Sequence, residues 1–205
     1  MIDLNCKTYL ILFIFFTPLI AFNQVNSTYT LKILGVVQDC GLPHLGSDRI
    51  CCEDFEQNRY VTSIILINNQ TNESYLFDAS PDINEQLNFM GKGIKKNLKG
   101  IFLTHAHIGH YTGLMYFGRE ALNSKLMKVY AMPKMKKFLE QNGPWSQLVS
   151  LQNISLTELS NNSMIQIDSS VVIQPIEVPH RAEFSETVGY KICLLYTSDA
   201  ADEQW

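Results

Sequence analysis

An excess of positive charge is the first thing this chain lacks. Sixteen lysines and arginines stand against twenty aspartates and glutamates, for a net charge of −4. No basic stretch supplies the electrostatic footprint that nucleic-acid binding needs. Long apolar runs are missing after residue 22, so no later segment spans a bilayer as a helix. Neither an internal repeat, a low-complexity tract nor a clear linker divides the 205 residues, which points to one domain. Cysteine is sparse: Cys6, Cys40, Cys51, Cys52 and Cys193 fall short of the density of a disulfide scaffold. Hydrophobic residues, at 46%, are enough for a substantial core.

The one long apolar run sits at the start. Lys7 precedes residues 9–22, and the polar residues 23–24 and 26–28 follow. The run is short for a membrane span, and the small residues Ala21 and Ser27 offer cleavage points. Residues 1–27 therefore read as a signal peptide, with an uncleaved N-terminal anchor as the alternative. Secretion or residence in the secretory-pathway lumen follows, or membrane anchoring under the second reading. Five acceptor patterns for N-glycosylation begin at Asn26, Asn69, Asn72, Asn153 and Asn161, although an Asn-rich chain produces such matches by chance. Cys6 would leave with the signal. Three readings of the other cysteines stay open: a disulfide from Cys40 to Cys51 or Cys52, a structural metal site using these three with His44, and free thiols.

Residues 29–37, 60–67 and 74–77 alternate or run apolar as strands, the last two joined by a turn over 68–72. A Gly/Pro-punctuated loop at 38–46 carries His44, which reads as an exposed residue or a pocket residue. Asp78 to Asp82 leads into a helix running from Pro81 toward Met90. Further strands are expected at 101–103, 125–131, 154–159, 164–167, 171–178 and 189–195, with short helices from about Tyr111 and from Pro133 to Gln141. Residues 196–205 switch abruptly to a polar pattern and resemble a translated sequencing-adapter tail, so a truncated gene model is expected.

Only five histidines are present, and His105, His107 and His110 fall within six positions, directly after the apolar run 101–103. At the end of a strand, residues i and i+2 point to one face, so His105 and His107 can converge on one ion. His110 can turn back from the start of the next helix, and His180 ends another strand far downstream. Imidazole nitrogens at about 2.0–2.1 Å suit zinc, and they suit iron as well. The plainer reading is a polar loop with pH-dependent charge. Asp78 could position the loop or merely cap a turn. Arg181 could pair with an anionic substrate, and Glu183 or Glu186 could orient a histidine, against surface ion pairing for all three.

The segment from Thr104 to Leu114 resembles the metallo-β-lactamase-fold superfamily, whose ligand motif is His-x-His-x-Asp-His. The motif is matched by His105, His107 and His110, with Gly109 where the pattern has aspartate. Residues 36–44, 78–82 and 178–181 further resemble the branch of coenzyme PQQ synthesis protein B and its relatives. The resemblance covers roughly residues 30–193. It implies an α/β fold, specifically an αββα metallo-β-lactamase-like sandwich that here would be C-terminally truncated: a partial domain over 28–195, with 196–205 as a non-native tail. It places His105, His107 and His180 on one metal, His110 on another, and Asp78 in a structural role. The later bridging aspartate and final histidine of the pattern fall beyond residue 205.

The expected function is metal-dependent hydrolysis of an ester, amide, thioester or phosphoester through a metal-bound hydroxide, using one or two Zn2+ ions. Two alternatives accompany it. One is an iron-dependent oxidative enzyme related to cofactor biosynthesis; the other is a non-catalytic exported metal-binding protein, which Gly109 favours. The expected partner is a small-molecule substrate, and no motif sets an oligomeric state.

Overall fold

The computed structural model describes residues 28–48 and 59–195. The expected leader at 1–27, Cys6, Cys51 and Cys52, and the tail at 196–205 lie outside the described residues. Within them, nine strands form two sheets. The larger sheet contains β1 (Tyr29–Gly35), β2 (Ser63–Asn68), β3 (Ser74–Phe77), β4 (Leu98–Phe102), β5 (Met127–Ala131) and β6 (Ile154–Glu158), in that order. Strands β1 to β3 pair antiparallel, and β3 to β6 pair parallel. The smaller sheet is an antiparallel meander of β7 (Ile165–Gln166), β8 (Val171–Glu177) and β9 (Val188–Leu194).

Helices interleave with the parallel strands because parallel neighbours need a crossover. They are α1 (Ile83–Phe89), α2 (Lys92–Lys96), α3 (Ile108–Tyr111), a 3-10 helix (Thr112–Phe117), α4 (Pro133–Gln141) and α5 (Trp145–Ser150). Pro133 stands at the first position of α4, where its missing N–H costs no helical bond. The helices α2 and α5 were not anticipated from the sequence. The helix α4 ends at Gln141 with Asn142 as its C-cap, and Pro144 stands as the N-cap of α5.

The two sides of β4 explain the layering. Ile101 points into a core cluster with Ile83, Leu114, Met135, Leu139 and Leu148, which seats the helices against the larger sheet. Phe102 points the other way, into the cluster between the sheets, with Phe77, Leu159, Val171, Ile173 and Val188. A central parallel strand buried on both faces loses its polar alternation, which is why residues 101–103 read as a continuous apolar run. The architecture is the expected sandwich of the αββα metallo-β-lactamase type, with helices packed on its mixed sheet.

One of the glycosylation patterns falls on a buried residue. Asn153 is buried at 1% exposure, and its side-chain amide donates to the Ser124 carbonyl at 3.0 Å, so it organises a turn and is closed to a glycan. Asn72 and Asn161 are exposed. Cys40 and Cys193 are free thiols. Among the described residues no helix is long and apolar enough to cross a membrane.

Phe102 is fully buried, stacked on Tyr130 with centroids 4.2 Å apart and on Phe77 at 5.3 Å, with Tyr190 edge-on at 5.4 Å. Truncation leaves a cavity that this aromatic stack cannot close. Phe102→Ala is expected to cost about 3–5 kcal/mol, read as a lower denaturant midpoint with an unchanged slope.

Candidate metal centre

The site lies at the carboxyl ends of β3 and β4 and is built outward from Asp78. Phe77 pairs with Phe102 across parallel strands, so the residues after them emerge side by side. Asp78 is 4% exposed and adopts φ +66°, a conformation rare for non-glycine residues. That backbone turns its carboxylate toward the neighbouring loop. One oxygen accepts the Thr104 N–H at 2.8 Å. The other lies 2.8 Å from the Thr104 hydroxyl and 2.7 Å from His110 Nδ1.

These bonds assign the proton positions. The Thr104 hydroxyl has a single proton, and the ionised Asp78 is acceptor-only, so that proton goes to Asp78. The same hydroxyl lies 2.9 Å from His105 Nδ1, which must then donate to it. His105 Nε2 is left with its lone pair, 3.0 Å from His107 Nδ1. The outer nitrogen of His107, Nε2, faces the Glu183 carboxylate at 3.6 Å. Glu183 therefore stands where it can orient a histidine ring, and Arg181 is paired to it on the exposed surface.

His180 completes the cluster from the loop after β8. Its ring centroid lies 4.9 Å from that of His105 and 5.3 Å from that of His107. One ring nitrogen from each of these three histidines falls within a set spanning no more than 4.8 Å. Two nitrogens about 2.0–2.1 Å from one zinc at a tetrahedral angle lie about 3.3 Å apart, close to the observed 3.0 Å. Facing lone pairs repel unless a proton or a cation lies between them. The donor set fits a divalent cation.

The smaller sheet holds this loop in place. The Ala106 N–H donates to Ser185 Oγ at 2.8 Å, and the Val188 N–H donates to the Thr104 carbonyl at 3.1 Å. On the other side, Ala79 N–H donates to the His110 carbonyl and Gly113 N–H to the Ala79 carbonyl, both at 2.9 Å. A Cβ on Gly113 would stand 2.1 Å from the Ser80 carbonyl oxygen, so only glycine allows this approach.

The electrostatics separate two neighbouring rings. Burial, followed by the charges His110, His107 and His180 would carry, pushes His105 down to about 3, so it stays neutral as a ligand must. Burial also opposes charge on His110. The hydrogen bond to Asp78 and the charges of Asp78 and Asp39 outweigh it, and its pKa rises.

His105, His107 and His180 are thus brought together, with His110 alongside, its ring centroid 4.2 Å from that of His105. Asp78 takes the positioning role. Two other candidates lie away from the cluster. Glu186 does not face a histidine: its carboxylate accepts the Lys134 N–H at 3.0 Å, satisfying the otherwise unpaired first turn of α4. His44 is exposed in its loop, its carbonyl accepting from the Ser47 N–H. Sequence reading missed Ser185 as a strut and, above all, Asp39, whose Oδ1 lies 3.2 Å from His110 Nε2. The Asp39 and Ser185 contacts span too many residues for any local spacing to reveal them.

A two-sheet sandwich with histidines converging after one strand of each sheet, β4 and β8, defines a metallo-β-lactamase-type fold. The chain belongs to the β-lactamase superfamily, whose domain model matches residues 73–203. No curated protein matches it. Among solved structures, a diphosphatase of the PhnP family is similar at 23% identity and TM-score 0.61, covering 80% of this chain and 61% of that one. Zinc-bound PqqB from Methylobacterium extorquens is similar at 18% identity and TM-score 0.66, covering 81% and 62%. Human tRNase Z, short form, is similar at 16% identity and TM-score 0.51, covering 80% and 64%. At these identities the likeness is one of fold. The chain spans about three-fifths of the length of these structures.

The two histidines act on stability with opposite signs in chelator-treated protein. His105 charges in the unfolded chain first, so the fold loses stability as pH falls from about 6.5 toward about 3. His110 keeps its proton longer in the fold, so its contribution is complete below pH 6.5 and lost as pH rises through the raised value. Ring NMR should show His105 still neutral at pH 5 and His110 charged above pH 6.5. A His105 that titrates near 6.5 contradicts the network.

Proposed function

We propose that this chain is a metal-dependent hydrolase in which His105, His107 and His180 hold a divalent cation. The observation that carries the reading is the convergence of three ring nitrogens within 4.8 Å at strand ends of this fold. Bound there, such an ion acidifies a coordinated water and polarises a substrate oxygen. The chain's own residues do the rest. Asp78 and Thr104 fix the proton on His105 Nδ1, and Glu183 faces the outer nitrogen of His107.

The substrate is an ester, amide, thioester or phosphoester. A cleft of about 300 Å³ lies on the far side of Glu183, with Lys134 and Lys137 on its wall beside Phe138 and Phe184; none of the four clustered histidines lines it. Zinc is the proposed ion: neutral imidazoles suit it, and it is the ion bound in the PqqB structure of similar fold. Residues 36–44, 78–82 and 178–181 support placing the chain near the PqqB-like branch of the superfamily. We also propose export directed by residues 1–27, supported by Lys7 and the apolar run behind it.

Elemental analysis and hydrolysis assays over carboxylic ester and phosphodiester panels test the activity. Zinc near one equivalent or more per chain is expected, with turnover lost on chelation and at least 100-fold lower in His105→Ala and His107→Ala. Iron accompanied by oxygen uptake and no hydrolysis overturns the reading, as does a folded, metal-free protein without turnover. N-terminal sequencing of the chain from a secreting host tests export, with a mature start after Ala21 or Ser27 expected and an intact Met1 opposing cleavage.

A further inference from the structure

The superfamily pattern places an aspartate where this chain has Gly109, and the structure shows what occupies that space. A Cβ built on Gly109 would lie 2.5 Å from Asp39 Oδ1 and 2.7 Å from Asp39 Cα. The carboxylate of Asp39 therefore fills the volume that a side chain at position 109 would take. It belongs to a tight turn between β1 and β2, closed by Gly41 N–H donating to the Gln38 carbonyl at 2.9 Å. That turn is anchored on both sides. Thr62 N–H donates to the Val37 carbonyl at 2.9 Å, and Leu42 and Arg59 exchange backbone bonds at 3.1 and 3.2 Å.

His110 presents the matching donor. Its Nδ1 is held by Asp78 at 2.7 Å, which turns Nε2 toward Asp39 Oδ1 at 3.2 Å. A buried carboxylate behind a histidine, with the far nitrogen aimed outward, is the usual support for a metal-ligating imidazole. An imidazole nitrogen and a carboxylate oxygen bound to one zinc at a tetrahedral angle lie about 3.3–3.4 Å apart, close to the distance seen. The pair borders the three-histidine cluster, since the His110 and His105 ring centroids are 4.2 Å apart.

We propose that Asp39 supplies the carboxylate missing at Gly109, so that Asp39 and His110 form the protein half of a second divalent-cation site beside His105, His107 and His180. The proposal rests on the reading of those three histidines as the first site. Substrate or water completes the coordination. The exchange is spatial: one acidic side chain moves from the helix start to the facing turn, and the helix start becomes glycine to admit it.

Zn2+ stoichiometry and affinity of the full chain test this, measured by elemental analysis and by competition with a chromophoric chelator. The wild-type chain is expected to bind two equivalents. Asp39→Asn, which keeps the shape but removes the charge, should weaken the second equivalent at least tenfold and leave the first unchanged. Gly109→Asp alone should displace the turn, whereas the double variant Asp39→Gly with Gly109→Asp should regain two equivalents. Wild-type affinity for the second equivalent in Asp39→Asn overturns the proposal. So does a double variant that melts like the wild type yet binds only one. A wild-type chain that binds one equivalent reduces the Asp39–His110 pair to an ion pair and leaves the hydrolase reading standing. A chain that binds none removes both.

Discussion

Everything at the strand ends depends on one buried anion. The Asp78 carboxylate is almost wholly removed from water, and such a charge persists only if fully hydrogen-bonded. Thr104 offers its N–H and O–H, and His110 offers Nδ1–H. Charge-assisted bonds of this kind are about twice as strong as neutral ones. They offset both the desolvation and the backbone strain at φ +66°, a cost of order 1–3 kcal/mol. Strain of this sort is retained where the surrounding structure over-determines it. Here the parallel register of β3 and β4 does so, placing Asp78 beside Thr104 before any side chain chooses a rotamer.

From that point, orientation is passed along by proton counting. Asp78 takes the Thr104 proton, Thr104 then accepts from His105, and His105 is left with Nε2 free toward His107. Each step removes an alternative tautomer without adding a covalent constraint. The smaller sheet enters through Ser185 and Val188, which bind the backbone on either side of His105. The packing of Phe102 against Tyr190 between the sheets is therefore part of the site as well as part of the core. A shift between the sheets would move His180 relative to His105.

The sequence made the fold and most of the histidine cluster legible because both are recorded locally. The run 101–103 followed by histidines at i, i+2 and i+5 announces a buried strand with a histidine-bearing loop at its end, although β4 stops at Phe102 and strand alternation does not orient His105 and His107. His180 was legible because it follows the β-branched residues 171–178, although it stands three residues past the observed end of β8. What sequence could not show are relations created by folding. Asp39 meets His110 across 71 positions, Ala106 meets Ser185 across 79, and Glu186 reaches back to α4 across 52. Asn153 matched a modification pattern by composition, yet burial closes it. The short helix α5 was missed because Pro144, which follows the end of α4, also serves as its N-cap, and no local signal marks the restart.

Gly109 shows how a motif and a site can part company. A motif specifies donors by their order along one stretch, but a cation requires only that donor atoms meet at one point in space. The turn at 38–41 brings its carboxylate to the position the motif would have served, and the absent Cβ at 109 is what gives it room. The relocation changes what the site depends on. A ligand at position 109 would move with His107 and His110, whereas Asp39 moves with β1, β2 and the backbone bonds at Val37 and Leu42. Its side chain is also 34% exposed, so water competes for it more than for the buried Asp78. On the proposed assignment, a second cation held this way would bind more weakly than the first, with its affinity tied to the order of the β1–β2 edge of the sheet.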